Sequence, residues 1–218
     1  MNKQKKIPII IYIFFIIILI RLIFYYNMKE YTEAFDTSSY FQNYEGSILK
    51  ACIDEQRTPV YPTVYKIFKS ICGTDDITYR TIILMQEIVS IVSIAVLYKT
   101  FQSIFSSKKY VYILTILYGT CPMIFCYNKM LLTESFSISF MAMFVCLLIS
   151  FNKKPSIKKN ILIAIYTFFL IMLRPSFLYI TVYLFIVWFL LFLNKEKRKQ
   201  AIIGFALLIT IVRRGICI

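Results

Sequence analysis

The chain has 218 residues, of which 59% are hydrophobic and 17% charged, and its formal net charge is +14. A soluble domain of this size has no core large enough for so much apolar side chain, so the composition predicts an all-α polytopic membrane protein. The lysines lie in short clusters between apolar runs, where the positive-inside rule places them, so we expect no nucleic-acid partner. The chain has no histidine, which excludes histidine-based triads, general bases and metal ligands.

The first apolar run, residues 7–26, follows Lys3, Lys5 and Lys6 and is long enough to cross about 30 Å of hydrocarbon. The lysines predict an N-terminus in the cytoplasm. No small-residue cleavage site follows the run, so we interpret it as a retained span of the cytoplasmic membrane. Arg21 lies near the far end, where we expect its side chain to snorkel outward.

The outer loop, residues 28–78, is the one long polar interruption, and eight of the eleven acidic residues lie between residues 29 and 80. Residues spaced every four from Tyr40 to Cys52 predict one helix. A second helix should open near Pro59 or Pro62 and run to Cys72. Its apolar face is predicted to comprise Tyr61, Val64, Tyr65, Phe68, Ile71 and Cys72. We expect both helices to lie in the membrane interface, although packing against the spans would give the same pattern. For Cys52 and Cys72 we favour unpaired thiols over a disulfide.

The remainder of the chain reads as apolar spans joined by short lysine-rich turns. We expect a kink in the third span at Gly119 and Pro122. The fifth run, of about 13 residues, meets Pro175 and suggests a re-entrant or broken segment beside a cavity. A last run begins at Ala201 and is short for a span, which makes six to seven spans in one domain, residues 1–218. The spans after the first are residues 77–98, 110–127, 130–151, 161–173 and 176–193. The predicted inner turns carry fourteen Lys and Arg and one acid, Glu196.

Ionisable residues converge on the predicted outer surface, and they are the candidate site. A charge within a span costs about 2.5–3.5 kcal/mol on insertion scales, so Glu134 needs a compensating reason. For Glu134 and Arg174 a structural ion pair is an equal alternative to a functional role. Asp54 and Glu55 fit solvated loop charges better. The residues in question are Asp36, Asp54, Glu55, Arg57, Lys129, Glu134 and Arg174.

Four short motifs carry a family resemblance. They are Asp36-x-x-x-Tyr40, the Arg-Thr-Pro-Val-Tyr-Pro of residues 57–62, Asn-Lys with Leu-Leu-Thr-Glu-Ser in residues 128–135, and the Leu-Arg-Pro of residues 173–175. In this order the chain resembles the integral-membrane GT-C glycosyltransferases, which include protein mannosyltransferases and the aminoarabinose transferases of lipid A. The resemblance covers residues 7–193. Val60 departs from it, because it replaces the usual glycine and removes the freedom for positive φ.

The resemblance implies a polyprenyl-phosphate sugar donor, an acceptor (glycan, lipid or protein) met at the outer face, and transfer with inversion. It assigns Asp36 as catalytic base and Arg57 to the donor phosphate, with Lys129 and Arg174 at the same depth. It gives Glu134 to the acceptor or, with Asp36, to a divalent metal, for which oxygen ligands favour magnesium or manganese.

Family members usually have more spans and often a soluble C-terminal domain, so we expect that the C-terminal part is missing and that the chain alone is weakly active or inactive. Two other functional classes stay open. One is a polysaccharide polymerase or lipid-linked sugar flippase subunit, which would carry its large outer loop late in the chain. The other is a non-catalytic membrane partner. The sequence specifies neither the sugar nor the acceptor.

Overall fold

The computed structural model describes residues 9–27, 37, 58–195 and 198–215, and in these residues it contains helices and no strand. The helices are α1 Ile9–Asn27, α2 Val60–Cys72, α3 Asp75–Ile104, α4 Lys108–Gly119, α5 Pro122–Asn128, α6 Thr133–Lys153, α7 Ile157–Leu173, α8 Tyr179–Leu193 and α9 Arg198–Gly215. A 3-10 turn, Pro175–Leu178, joins α7 to α8.

Five helical segments of the described chain are long and apolar enough to cross a membrane. They are α1, α3, the α4–α5 pair, α6, and the 3-10 turn together with α8. This confirms the all-α polytopic class. The two other runs that the sequence suggested, α7 with 17 residues and α9 with 18, are helices outside that set of five.

Helix boundaries follow local chemistry that the hydropathy of the sequence does not capture. Helix α3 begins at Asp75 and Asp76, whose charges suit a helix N-terminus, and its 30 residues extend to Ile104 rather than to the predicted Tyr98. Helix α7 begins four residues before its predicted start, because the Ser156 side chain caps it by accepting a hydrogen bond from the Lys159 backbone N–H.

The predicted break in the third span is present. Helix α4 ends at Gly119 and α5 begins at Pro122, with Thr120 and Cys121 between them. Gly119 also lies against Ile17 of α1, where an added Cβ would be 2.7 Å from the Ile17 Cδ1 atom. Because a larger residue would clash there, glycine permits the close approach of α4 to the first span.

Helix α2 is the second predicted loop helix, and its buried face is narrower than predicted. Tyr61 and Tyr65 are buried, and Val64 and Phe68 pack beside them. Ile71, which the sequence placed on the same face, is 73% exposed and belongs to the other side. The helix predicted over residues 40–52 lies outside the described residues. Cys72 carries a free thiol, and its sulfur is 3.6 Å from the Thr81 hydroxyl.

The helices alternate in direction, so that one end of the bundle gathers the ends of α1, α5 and α7 and the starts of α3, α6 and the 3-10 turn. We call this the motif end. An apolar cluster unites three of the sequence motifs there, because Tyr61, Leu131 and Leu173 are each fully buried in it. The cluster is completed by Tyr65, Ile82, Ile83 and Phe136. It fixes α2 across the ends of α3, α6 and α7.

Candidate functional site

Glu134 and Arg174 form an ion pair at the motif end, with the Arg174 Nη1 atom 3.0 Å from the Glu134 Oε1 atom. Glu134 lies in the first turn of α6, where the helix dipole favours a carboxylate. Arg174 follows the last residue of α7 and precedes Pro175, which explains its extended backbone at φ −154° and ψ 122°. The side chains are 27% and 41% exposed, respectively, so the pair is open on one side.

Hydrogen bonds of two threonines hold the other two predicted motifs near the Glu134–Arg174 ion pair. The Thr58 hydroxyl donates a 2.9 Å hydrogen bond to the carbonyl of Leu173, the residue before Arg174. The hydroxyl of Thr37, which follows Asp36 in the sequence, donates at 3.3 Å to the carbonyl of Leu131, three residues before Glu134. All four motifs therefore contribute a described residue to one region.

A glutamine within the second span holds the turn between α5 and α6, and the sequence analysis missed it. The Gln86 amide nitrogen donates to the carbonyls of Asn128 and Met130 at 3.1 and 2.9 Å. The Tyr61 hydroxyl donates to the Gln86 side-chain oxygen at 3.2 Å. A polar side chain inside a span is the signal that could have identified it, because such residues almost always face the bundle interior.

Lys129 is turned toward the first span rather than toward the Glu134–Arg174 pair. Its ammonium donates to the Tyr25 carbonyl at 2.8 Å and lies 3.7 Å from the centre of the Tyr25 ring. The residue is only 7% exposed. Burial lowers the pKa of the Lys129 ammonium, and the Glu87 carboxylate partly opposes that shift. In this conformation, Lys129 fixes the turn between α5 and α6 to the end of α1.

Arg21 does not snorkel outward as predicted; it turns into the bundle. Its Nη1 atom is 2.9 Å from the Glu87 carboxylate and 3.0 Å from the Ser90 hydroxyl, and its Nε atom donates to the Gly119 carbonyl at 3.0 Å. The Arg21 and Glu87 side chains are 3% and 13% exposed. The physical reason is that the Glu87 carboxylate inside the bundle offers the guanidinium a counter-charge close by, whereas snorkelling would require the side chain to extend to the edge of the bilayer.

Of the seven candidate residues, Glu134 and Arg174 meet and Lys129 binds the end of α1. The other four lie outside the described residues: Asp36, Asp54, Glu55 and Arg57. Within the described chain, no group of three or more Cys, Asp or Glu side chains converges. Among the described residues of the four motifs, Glu134 is the one carboxylate, and one of its oxygens already contacts the Arg174 guanidinium. The described residues alone therefore do not form a metal site, and a metal shared with Asp36 stays a prediction.

Comparison with known protein families gives a match over most of the chain. A family model described as dolichyl-phosphate-mannose-protein mannosyltransferase matches residues 56–213. No curated protein and no solved structure matches the chain. The matched segment begins just before Thr58 and contains α2 to α8 with both members of the Glu134–Arg174 pair.

Proposed function

Because the chain belongs to the family of dolichyl-phosphate-mannose-protein mannosyltransferases, we propose that it moves a sugar from a polyprenyl-phosphate donor to an acceptor hydroxyl at the outer membrane face. The family makes the chain a GT-C type membrane glycosyltransferase, as its motifs predicted. The observation that carries the site assignment is the half-buried Glu134–Arg174 ion pair, near which hydrogen bonds of Thr37 and Thr58 hold the other two motifs.

The proposed reaction is a single displacement with inversion. The acceptor oxygen forms a bond to the anomeric carbon while the bond from that carbon to the phosphate oxygen breaks. Asp36 takes the hydroxyl proton as this bond forms, because a carboxylate can act as a general base. The bonding electrons leave with the polyprenyl phosphate, whose negative charge needs stabilisation.

Arg174 is the described residue best suited to the donor phosphate. Only its Nη1 atom is committed to Glu134, and its side chain makes no other hydrogen bond within the described chain. The remaining guanidinium N–H groups can therefore reach phosphate, which guanidinium binds well because the two are geometrically matched. Arg57 would complete the clamp, since its neighbour Thr58 is held on the residue preceding Arg174. Lys129 would have to leave Tyr25 to join them.

Glu134 has two roles in this proposal. It holds Arg174 in place through the ion pair, and its second carboxylate oxygen, which accepts a 3.3 Å hydrogen bond from the Thr133 hydroxyl, would also accept one from the acceptor hydroxyl. The predicted magnesium or manganese would require Asp36 beside this carboxylate. No step of the reaction above is routed through a metal.

Donor binding tests the proposal and does not depend on the rate of transfer. The 218-residue chain in nanodiscs is titrated with tritiated polyprenyl-phosphate mannose, and Arg174→Gln is compared with the parent. A hydrogen bond to a charged group contributes about 1.5–3 kcal/mol, so Arg174→Gln should weaken binding roughly 10- to 150-fold. Arg198→Gln is the matched control, because Arg198 is an exposed arginine at the start of α9, where it donates to the Phe192 carbonyl at the end of α8 remote from the motifs.

Glu134→Gln separates phosphate binding from folding. If Arg174 binds the donor phosphate, removing the neighbouring negative charge should leave donor affinity unchanged or higher. If the pair is only structural, Glu134→Gln should weaken binding as much as Arg174→Gln does, and the site assignment would be wrong. Failure of the parent chain to bind any polyprenyl-phosphate sugar would reject the proposed function and favour a non-catalytic membrane partner.

A further inference from the structure

A basic cavity lies at the end of the bundle opposite the motif end. It has a volume of about 310 Å³ and lies between the last turns of α3 and α6 and the start of α7. Thr133 and Lys153 are at opposite ends of the 21-residue helix α6, so this cavity is about 30 Å from the Glu134–Arg174 pair. It therefore belongs to the other membrane face, the one that the lysine distribution predicts to be cytoplasmic.

Four lysines line the cavity, and no carboxylate is among the residues that line it. Two helix C-termini, those of α3 and α6, contribute about −0.5 charge each, which leaves a net charge of roughly +3 around the opening. Like charges at this density repel each other unless an anion is present. The four residues are Lys99, Lys153, Lys154 and Lys159.

Hydrogen bonds hold two of these ammonium groups in place. Lys159 donates to the carbonyls of Ser150 and Lys154 at 2.6 and 3.1 Å, and Lys153 donates to the Ser103 carbonyl. A lysine ammonium has three N–H donors, so both retain donors for a further ligand. Within the described chain, the ammonium groups of Lys99 and Lys154 form no hydrogen bond or ion pair and are available in full.

We propose that this cavity binds a phosphate group, as carried by an anionic phospholipid headgroup or by a small phosphate ion. Ammonium groups on several sides match the tetrahedral oxygens of phosphate, and basic pockets between membrane helices on the cytoplasmic side suit anionic lipid headgroups. The cavity wall also contains Ile149 and the buried Cys146, so an apolar strip lies beside the charges and suits the glycerol and upper acyl chain of a lipid. This site is separate from the proposed donor site.

The test compares two pairs of lysines, each pair consecutive in the sequence, on the same membrane face. Lys153→Gln with Lys154→Gln removes two charges from the cavity, whereas Lys108→Gln with Lys109→Gln removes two exposed charges that do not line it. The 218-residue chain and each double variant are placed in phosphatidylcholine nanodiscs with and without one-fifth phosphatidylglycerol. Native mass spectrometry counts retained phosphatidylglycerol, and thermal unfolding reports its effect on stability.

We expect the cavity pair to weaken phosphatidylglycerol retention at least about tenfold relative to the control pair, and Lys153→Arg with Lys154→Arg to restore it. Stabilisation of the phosphatidylcholine sample by inorganic phosphate, but not by chloride at equal ionic strength, would identify a free phosphate as the ligand. Equal losses in both lysine pairs would overturn the proposal. So would a cavity variant that is destabilised equally with and without phosphatidylglycerol, because the lysines would then only cap helix ends.

Discussion

The buried ion pair between Arg21 and Glu87 should be a large single contribution to the stability of the helix bundle. Glu87→Gln keeps the size and shape of the side chain but leaves the Arg21 guanidinium without a counter-charge at 3% exposure. Removing one partner of a buried pair costs about 3–5 kcal/mol. Arg21 would retain its bonds to the Ser90 hydroxyl and the Gly119 carbonyl, so we expect a loss near the lower limit, about 3 kcal/mol.

The assay is reversible unfolding of the chain from detergent micelles by sodium dodecyl sulfate. Asp76→Asn is the control, because it breaks the exposed Arg80–Asp76 pair, for which about 0.5 kcal/mol or less is expected. Replacing Arg21 by Met and Glu87 by Leu together should recover much of the loss, since apolar residues of similar volume often replace a buried pair without cost. If Glu87→Gln costs no more than Asp76→Asn, the pair is not buried in the bilayer-spanning bundle and this reasoning is wrong.

Three further predictions concern packing, titration and orientation. Gly204→Leu should destabilise the bundle by about 1–3 kcal/mol in the same unfolding assay, because a Cβ there would overlap the Trp188 ring. Unchanged stability of this variant would contradict the close contact between Gly204 and Trp188. Burial lowers the pKa of Lys129 from its ordinary value of 10.5. The free energy of unfolding of the parent should therefore rise relative to that of Lys129→Met as the pH increases from neutral toward 10.5. A difference between the two proteins that does not change with pH would show that the ammonium is solvated. A single cysteine at Ser47 should react with an impermeant reagent in intact cells and one at Ser156 should not; the opposite result would reverse the orientation.

Composition and hydropathy predicted the membrane class, five of the spans and the break between Gly119 and Pro122, because each depends on local sequence alone. Helix ends were less predictable. The start of α7 depends on the capping hydrogen bond of the Ser156 side chain. Helix α3 continues six residues past its predicted end, because residues 99–104 can also adopt a helical conformation. Both differences are local capping and propensity effects that a hydropathy reading does not resolve.

The candidate site was predictable as a set of motifs but not as a set of contacts. The Thr58–Leu173 and Thr37–Leu131 hydrogen bonds join residues 115 and 94 positions apart, and nothing in the local sequence states such a pairing. Arg21 is the clearest example of a contact that the local sequence does not determine. An arginine near the end of a span can snorkel outward or pair inward, and only the position of Glu87, 66 residues later, decides between them.

We propose above that the motif end transfers a sugar with Asp36 as the base. The most direct measurement is single-turnover release of polyprenyl phosphate from bound polyprenyl-phosphate sugar, which detects even slow transfer, in the parent chain and in Asp36→Asn. Asparagine caps a helix nearly as well as aspartate but cannot accept the proton. We expect slow release by the parent chain and a rate lower by roughly 10²–10⁴-fold in Asp36→Asn, with donor binding retained. Equal rates of release in the two proteins would contradict the assignment of Asp36 as the base.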